Sequence, residues 1–410
     1  MPAEALGARD TSAALSVAAL RQIRHTEGMD VESNFISKIH DSGAALVLAV
    51  TGGGSLSIGR LLAVPGASRS VLGAIVPYSG AALRSWLNAT PEHYCEPYTA
   101  RLMAMTAFTR ARGFASADKI DARLLGLGCT ASLASDRPKR GAHRAHVAWQ
   151  SLDATVTWSL ELEKGARTRA EEESLVADLV LNAVAEGAGV AERLPLALRA
   201  GERVVERRTR APESWRELVF GDGAPVGVGP ATSEAPLLFP GAFHPLHAGH
   251  RGMAEVARKK LGKPAQYELS VRNVDKPPLD FTEIEDRVAQ LRADEAMWLT
   301  SAPTFVEKGR LFPGATFVVG LDTVTRIGEA RYYGESESAC AEAIAELGRL
   351  GCRFLVFGRK CGERFETLAD AVLPAALRGL CAGVGEGEFR LDISSTELRR
   401  RDAGETDASG

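Results

Sequence analysis

The chain has 410 residues, with 49 Lys and Arg against 52 Asp and Glu and a formal net charge of -3. That length accommodates two domains or three, and 45% hydrophobic with 25% charged residues excludes a disordered chain. The near-neutral balance excludes a global attraction to nucleic acid or an anionic membrane. No apolar run approaches the ~18 residues of a membrane span.

Residues 1–30 read as an N-terminal helical extension, in which Thr11 to His25 has an amphipathic helical pattern. Glu4 and Asp10 fall where a secretory signal would be basic and then apolar, so a cytoplasmic protein is expected. Ala44 to Val50 and Val71 to Val76 are predicted strands. Pro91 to Gly113 is a predicted helix, with Pro91 near its start and Gly113 as its stop. A strand over Arg144 to Leu152 and an amphipathic helix over Glu171 to Ala185 follow.

The composition then changes. Gly221 to Pro236 reads GDGAPVGVGPATSEAP, the pattern of a linker, or of a long surface loop inside one domain. Beyond it, Leu237 to Phe239, Thr316 to Val319 and Phe354 to Phe357 are predicted strands of one sheet. Strands alternating with helical patterns predict layered α/β architecture. The expected division is an extension (1–30), a first α/β domain (31–215), a linker (216–236) and a second α/β domain (237–405). Six cysteines occur without a C-x-x-C pair, which predicts reduced packing thiols rather than structural zinc or a disulfide framework.

The most informative segment is Phe239-Pro-Gly-Ala-Phe-His-Pro-Leu-His-Ala-Gly-His250. A strand runs into a tight turn and then a helix. Gly241 and Gly249 allow close approach of a ligand to the backbone. His247 and His250, three apart, project to one side of the first helical turn, beside N–H groups that make a natural phosphate site. In nucleotidyl transfer charge builds on phosphate oxygens, and positioned imidazole donors stabilise it; losing one would cost about 3–4 kcal/mol in the transition state. Surface histidines or half of a metal site are the plainer alternatives. Near the C-terminus, Ile393-Ser-Ser-Thr-Glu-Leu-Arg-Arg400 pairs Ser394 with Glu397 in a capping-box pattern. It also clusters the hydroxyls of Ser394, Ser395 and Thr396 with the guanidinium of Arg399, a set suited to a triphosphate tail.

Together these two motifs resemble the H-x-G-H nucleotidyltransferase superfamily. Other segments are most similar to the nicotinate and nicotinamide mononucleotide adenylyltransferases within it. Phe317-Val-Val-Gly-Leu-Asp322 is similar to their strand ending in Gly-x-Asp. Tyr332 and Tyr333 follow where the family places aromatic residues near the pyridine ring, and packing is their alternative role. Lys276-Pro-Pro-Leu279 resembles the basic, proline-containing substrate loop, and Phe354 to Arg359 a later strand ending in Arg. The resemblance implies a Rossmann-like parallel-sheet domain that transfers AMP from ATP to a pyridine mononucleotide in NAD biosynthesis or salvage, releasing pyrophosphate. It implies His247 and His250 as catalytic residues. Gly241, Phe243, Ser394, Ser395, Thr396 and Arg399 would bind the nucleotide; Lys276, Asp322, Tyr332 and Tyr333 would bind the acceptor. Mg²⁺ is expected with ATP, and no metal ligand of the protein is specified. His244 departs from the Asp or Asn that relatives often carry. Transfer of CMP or AMP to another phosphorylated small molecule is the alternative chemistry, and a non-catalytic nucleotide sensor or scaffold the non-enzymatic one.

In the first half, Ala49-Val-Thr-Gly-Gly-Gly-Ser55, Val64-Pro-Gly-Ala-Ser68 and Val76-Pro-Tyr-Ser79 occur in order. The glycine turn reads as a phosphate cradle or simply as a tight turn. The set resembles the CinA C-terminal-like family, whose active members deamidate nicotinamide mononucleotide. Leu83 stands where that family has a lysine, and an aliphatic side chain cannot transfer protons. The expectation is therefore a catalytically reduced CinA-like domain that binds a nucleotide or supports oligomerisation; the alternative is an active deamidase in which Thr51 replaces the serine nucleophile and Lys139, in the loop Cys129 to His146, supplies charge. The basic run Asp136 to Arg144 lacks the aromatic interleaving of a nucleic-acid surface. Expected partners are ATP and a phosphorylated acceptor, with no nucleic acid and no membrane; a homo-oligomer is open.

Overall fold

The computed structural model describes residues 31–136, 140–272, 276–361 and 364–390. The predicted helix Thr11 to His25, Lys139, and the phosphate-tail residues Ser394, Ser395, Thr396 and Arg399 lie outside the described residues.

The first unit runs α1 (31–40), β1 (Ala44–Thr51), α2 (Leu56–Ala63), β2 (Val71–Ile75), α3 (Gly80–Leu87), α4 (Pro97–Asp118), β3 (Arg123–Ser132), β4 (His143–Gln150), β5 (Ala154–Leu162), α5 (Arg169–Gly187) and β6 (Val204–Arg210). Its sheet has the order β2-β1-β3-β4-β5-β6. β1 pairs in parallel with β2 and β3, while β4, β5 and β6 add antiparallel. Every residue of β1 is buried, the pattern of a strand covered on both faces. α4 and α5 pack on this sheet, and the fit of α4 depends on glycine. A Cβ at Gly126 of β3 would lie 2.1 Å from the Phe108 nitrogen, and one at Gly128 would lie 2.4 Å from the Ala100 oxygen. Only hydrogen at those positions lets the helix backbone rest on the strand. The predicted helix begins at Pro97 rather than Pro91, because Pro97 takes the first helical position. Gly113 does not stop it. Open space surrounds that position, and the helix ends at Lys119, which adopts φ 55°.

The second unit runs α6 (Glu213–Phe220), β7 (Val226–Val228), β8 (Leu237–Pro240), α7 (Ala248–Leu261), β9 (Ala265–Ser270), α8 (Phe281–Val288), β10 (Met297–Thr300), α9 (Phe305–Leu311), β11 (Thr316–Gly320), α10 (Leu321–Ile327), α11 (Glu337–Arg349), β12 (Arg353–Phe357), β13 (Arg359–Cys361), β14 (Arg364–Glu366), α12 (Ala375–Arg378) and β15 (Cys381–Val384). The main sheet has the order β15-β12-β11-β8-β9-β10-β7. Its first six strands are parallel, and β7 adds antiparallel to β10. The stretch expected as a linker thus supplies an edge strand of this sheet. From β8 the chain winds outward through β9 and β10, then returns to build β11 on the other side of β8. Strand order therefore reverses between β8 and β11, and in open parallel sheets ligands bind in the crevice at such a reversal.

The two units share a core. Met105 and Phe108 of α4 join Leu218, Phe220, Phe281 and Ile284 of the second unit in one apolar cluster. The Phe108 and Phe220 rings meet edge to face at 5.0 Å. α8 lies against β5 and β6: the Phe281 N–H donates to Thr155 Oγ1 at 3.1 Å, and the hydroxyls of Thr282 and Thr209 are 3.1 Å apart. Among the described residues no helix is long and apolar enough to cross a membrane.

Candidate active site

The turn after β8 occupies the strand-order reversal. Gly241 continues the sheet bonding by donating its N–H to the Glu268 carbonyl at 3.0 Å. A Cβ at Gly241 would lie 2.7 Å from the Phe243 ring, so the close packing of that ring requires glycine. Phe243 adopts φ 46° and is 1% exposed, wedged edge to face against Phe239 and His250. The His244–Pro245 peptide is cis. The residues around α8 hold the turn from behind: Arg287 Nε donates to the Ala242 carbonyl at 3.1 Å, and Gln290 bonds the backbone of both Phe243 and Leu246.

α7 begins with the two predicted histidines, which cap it reciprocally. His247 Nδ1 accepts from the Gly249 N–H at 3.1 Å, and His250 Nδ1 accepts from the His247 N–H at 3.3 Å. An imidazole nitrogen that accepts cannot carry the proton, so each neutral ring bears its hydrogen on Nε2. Burial depresses the His247 pKa. Burial, then the neighbouring His247 and Arg251, bring His250 down to about 4. Both rings are neutral donors near pH 7, stacked with centroids 3.8 Å apart. Donors placed this way at a helix N-terminus suit charge developing on phosphate oxygens.

A cavity of about 640 Å³ opens beside this turn. Gly241, His244 and Lys276 line it, and so do Tyr98 and Leu102 of α4 in the first unit. Its lining also includes a buried ion pair that joins Lys308 Nζ to Glu268 Oε1 at 2.8 Å. Asp322 does not line the cavity; it sits in the first turn of α10 and forms an ion pair with Arg359. That contact joins two positions that the sequence resemblance had singled out separately. Tyr332 and Tyr333 lie in a 3₁₀ turn (Ala330–Tyr333) away from the cavity lining. Tyr333 donates to the Ile327 carbonyl at 3.0 Å and packs on the neighbouring core, while Tyr332 is 46% exposed beside Arg331. Both thus take packing or surface positions in this arrangement.

Sequence reasoning missed a buried charge network at the domain junction. Arg101 of α4 donates through Nε to Asp280 at 3.1 Å and through a terminal nitrogen to Glu283 at 3.0 Å. Glu283 also accepts from Arg287 at 2.7 Å, and Arg287 holds the Ala242 carbonyl. The Asp280-x-x-Glu283 capping pattern was readable, and the Asp280 side chain does accept from the Glu283 N–H at 2.9 Å. Arg101 was not readable, because its partners are about 180 positions away.

In the first unit the triple-glycine turn is already filled. Glu173 of α5 accepts from the Gly54 N–H at 2.9 Å, the Leu56 N–H at 3.1 Å and the Ser55 hydroxyl at 2.9 Å. A carboxylate of the protein occupies the anion position, so the tight-turn reading applies rather than a phosphate cradle. Thr51 is buried and donates to the Pro77 carbonyl at 3.1 Å. Leu83 is 2% exposed within the core under α4.

Residues 238–401 match the family model described as cytidylyltransferase-like. This cytidylyltransferase-like region begins at β8, contains the histidine-capped helix, and extends over Ser394, Ser395, Thr396 and Arg399. No curated protein matches the chain. Among solved structures, the competence/damage inducible protein CihA from Agrobacterium tumefaciens is similar at 19% identity and a TM-score of 0.30, over 40% of this chain and 95% of that one. A CinA superfamily protein from Klebsiella pneumoniae is similar at 16% identity and a TM-score of 0.29, over 39% and 96%. One from Escherichia coli is similar at 16% identity and 0.29, over 38% and 85%.

Proposed function

We propose that the cytidylyltransferase-like domain transfers AMP from ATP to the phosphate of a pyridine mononucleotide. A phosphate oxygen of the acceptor attacks the α-phosphorus. The bond from that phosphorus to the α,β-bridging oxygen breaks, and pyrophosphate leaves with the electron pair. The observation that carries this reading is the pair of neutral Nε2–H donors, His247 and His250, at the strand-order reversal. They would stabilise charge on the α- and β-phosphates, and Lys276 in the adjoining cavity would meet the acceptor phosphate. Ser394, Ser395, Thr396 and Arg399 would hold the triphosphate tail. Support for a pyridine acceptor comes from the segments Lys276 to Leu279 and Phe317 to Asp322 in sequence. Among the described residues no group of three or more His, Cys, Asp or Glu side chains converges as a metal-binding set. Mg²⁺ is expected to enter with the nucleotide as part of the substrate.

A second reading, transfer of CMP from CTP, draws support from the description of the matching family. The test is incubation of the full chain with Mg²⁺, either ATP or CTP, and nicotinamide or nicotinate mononucleotide, with pyrophosphate release and product mass as readouts. A dinucleotide formed from ATP is the expected product. Preference for CTP would overturn the adenylyl reading. Absence of pyrophosphate with every pair would overturn transfer to these acceptors.

A further inference from the structure

We propose that the first domain completes the acceptor subsite of the second, with Tyr98 of α4 as an acceptor-binding residue. This rests on the transferase reading above and adds its specificity surface.

The cavity beside the phosphate turn is not closed by the second domain alone. The loop before α4 and the first turns of that helix line it together with Gly241, His244 and Lys276 of the second domain. Tyr98 is half-buried in this lining, with its ring 6.2 Å from that of His244 and the Arg101 guanidinium 5.9 Å from its centroid. Its hydroxyl has no hydrogen-bond partner among the described residues. Burial, then Glu283 and Asp280, push the phenol up to about 12, so it remains a donor throughout the neutral range. An aromatic face with a free donor at its tip is suited to a planar heterocycle bearing an acceptor group. Lys276, which also lines the cavity, is suited to the phosphate of the same molecule. That combination is a phosphorylated nucleoside with a planar base rather than a phospho-alcohol.

The lining from α4 is also held in register with the turn. Arg101, one helical turn after Tyr98, grips Asp280 and Glu283; Glu283 grips Arg287; Arg287 holds Ala242 of the phosphate turn. Arg101 is thus a positioning residue, linking the first domain to the reacting end through a continuous set of hydrogen bonds.

The test measures equilibrium binding to the full chain by calorimetry, with nicotinamide mononucleotide and ATP as separate probes, for wild type, Tyr98→Phe and Tyr98→Ala. Tyr98→Ala is expected to weaken mononucleotide binding by roughly tenfold or more, with Tyr98→Phe in between and ATP affinity within about twofold of wild type. Unchanged mononucleotide affinity in Tyr98→Ala, equal loss for both probes, or no mononucleotide binding by wild type would each overturn the inference. Binding with the expected pattern but no pyrophosphate release would sustain the subsite and refute the transferase reading.

Discussion

His247 caps α7 in this structure, and the proposed transfer gives it a second job that substitutions can separate from the first. Its Nδ1 caps α7 by accepting from the Gly249 N–H at 3.1 Å, while in the proposed reaction its Nε2–H would donate to the nucleotide. His247→Ala removes both. Loss of the cap costs about 1 kcal/mol, equivalent to a fall in melting temperature of about 2–4 °C for a domain of this size. Loss of the donor costs about 3–4 kcal/mol in the transition state, or roughly 10²–10³-fold in kcat. Asparagine is a strong N-cap residue but is too short to place a donor where Nε2 stands. His247→Asn is therefore expected to recover the melting temperature and to leave kcat as low as in His247→Ala. The assay is pyrophosphate release at saturating ATP and mononucleotide, alongside thermal melts of the same preparations. If His247→Asn retained kcat within about threefold of wild type, the imidazole would be a cap and the catalytic assignment would fail.

Three further outcomes follow from the geometry. His250 has its folded pKa brought down to about 4, chiefly by burial, against about 6.5 when unfolded; the unfolded chain therefore binds the extra proton between those values. The resulting stability is complete above about pH 6.5 and lost as pH falls through about 4, by about 3 kcal/mol. Urea midpoints of wild type and His250→Gln should converge over that range, and a difference independent of pH would contradict the assignment. Arg101→Met should cost about 3–5 kcal/mol, because it strands Asp280 and Glu283 in a buried junction; chemical denaturation showing a loss below about 1 kcal/mol would mean that the junction is hydrated. Gly241→Ala places a Cβ 2.7 Å from a Phe243 ring that is itself packed on His250. It should destabilise by about 1–3 kcal/mol and lower pyrophosphate release, whereas wild-type rates would show that the ring moves freely.

Local sequence carried much of this protein. Periodicity and turn chemistry located β1, β2, β4, α5, β8, β11 and β12 within a few positions, because apolar runs and capping residues act over one or two turns. The spacing of His247 and His250 was enough to place both rings at a helix start, since three residues make almost one turn. Signals failed where the deciding partner is distant. β3 carries two glycines and reads poorly as a strand, yet those glycines are what admit α4. The Gly- and Pro-rich stretch before Leu237 looked like a connector, and pairing with β10 turned part of it into an edge strand. Which nitrogen of each histidine holds the proton, the filling of the triple-glycine turn by Glu173, and the joining of Arg101 to Asp280 all depend on side chains that only the folded chain brings within 3–4 Å. Composition and spacing thus determined many of the elements and the placing of two imidazoles at the start of α7. Tertiary packing alone decided that two domains enclose one cavity, because a wall made by α4 and a turn made after β8 meet through contacts that no local pattern encodes.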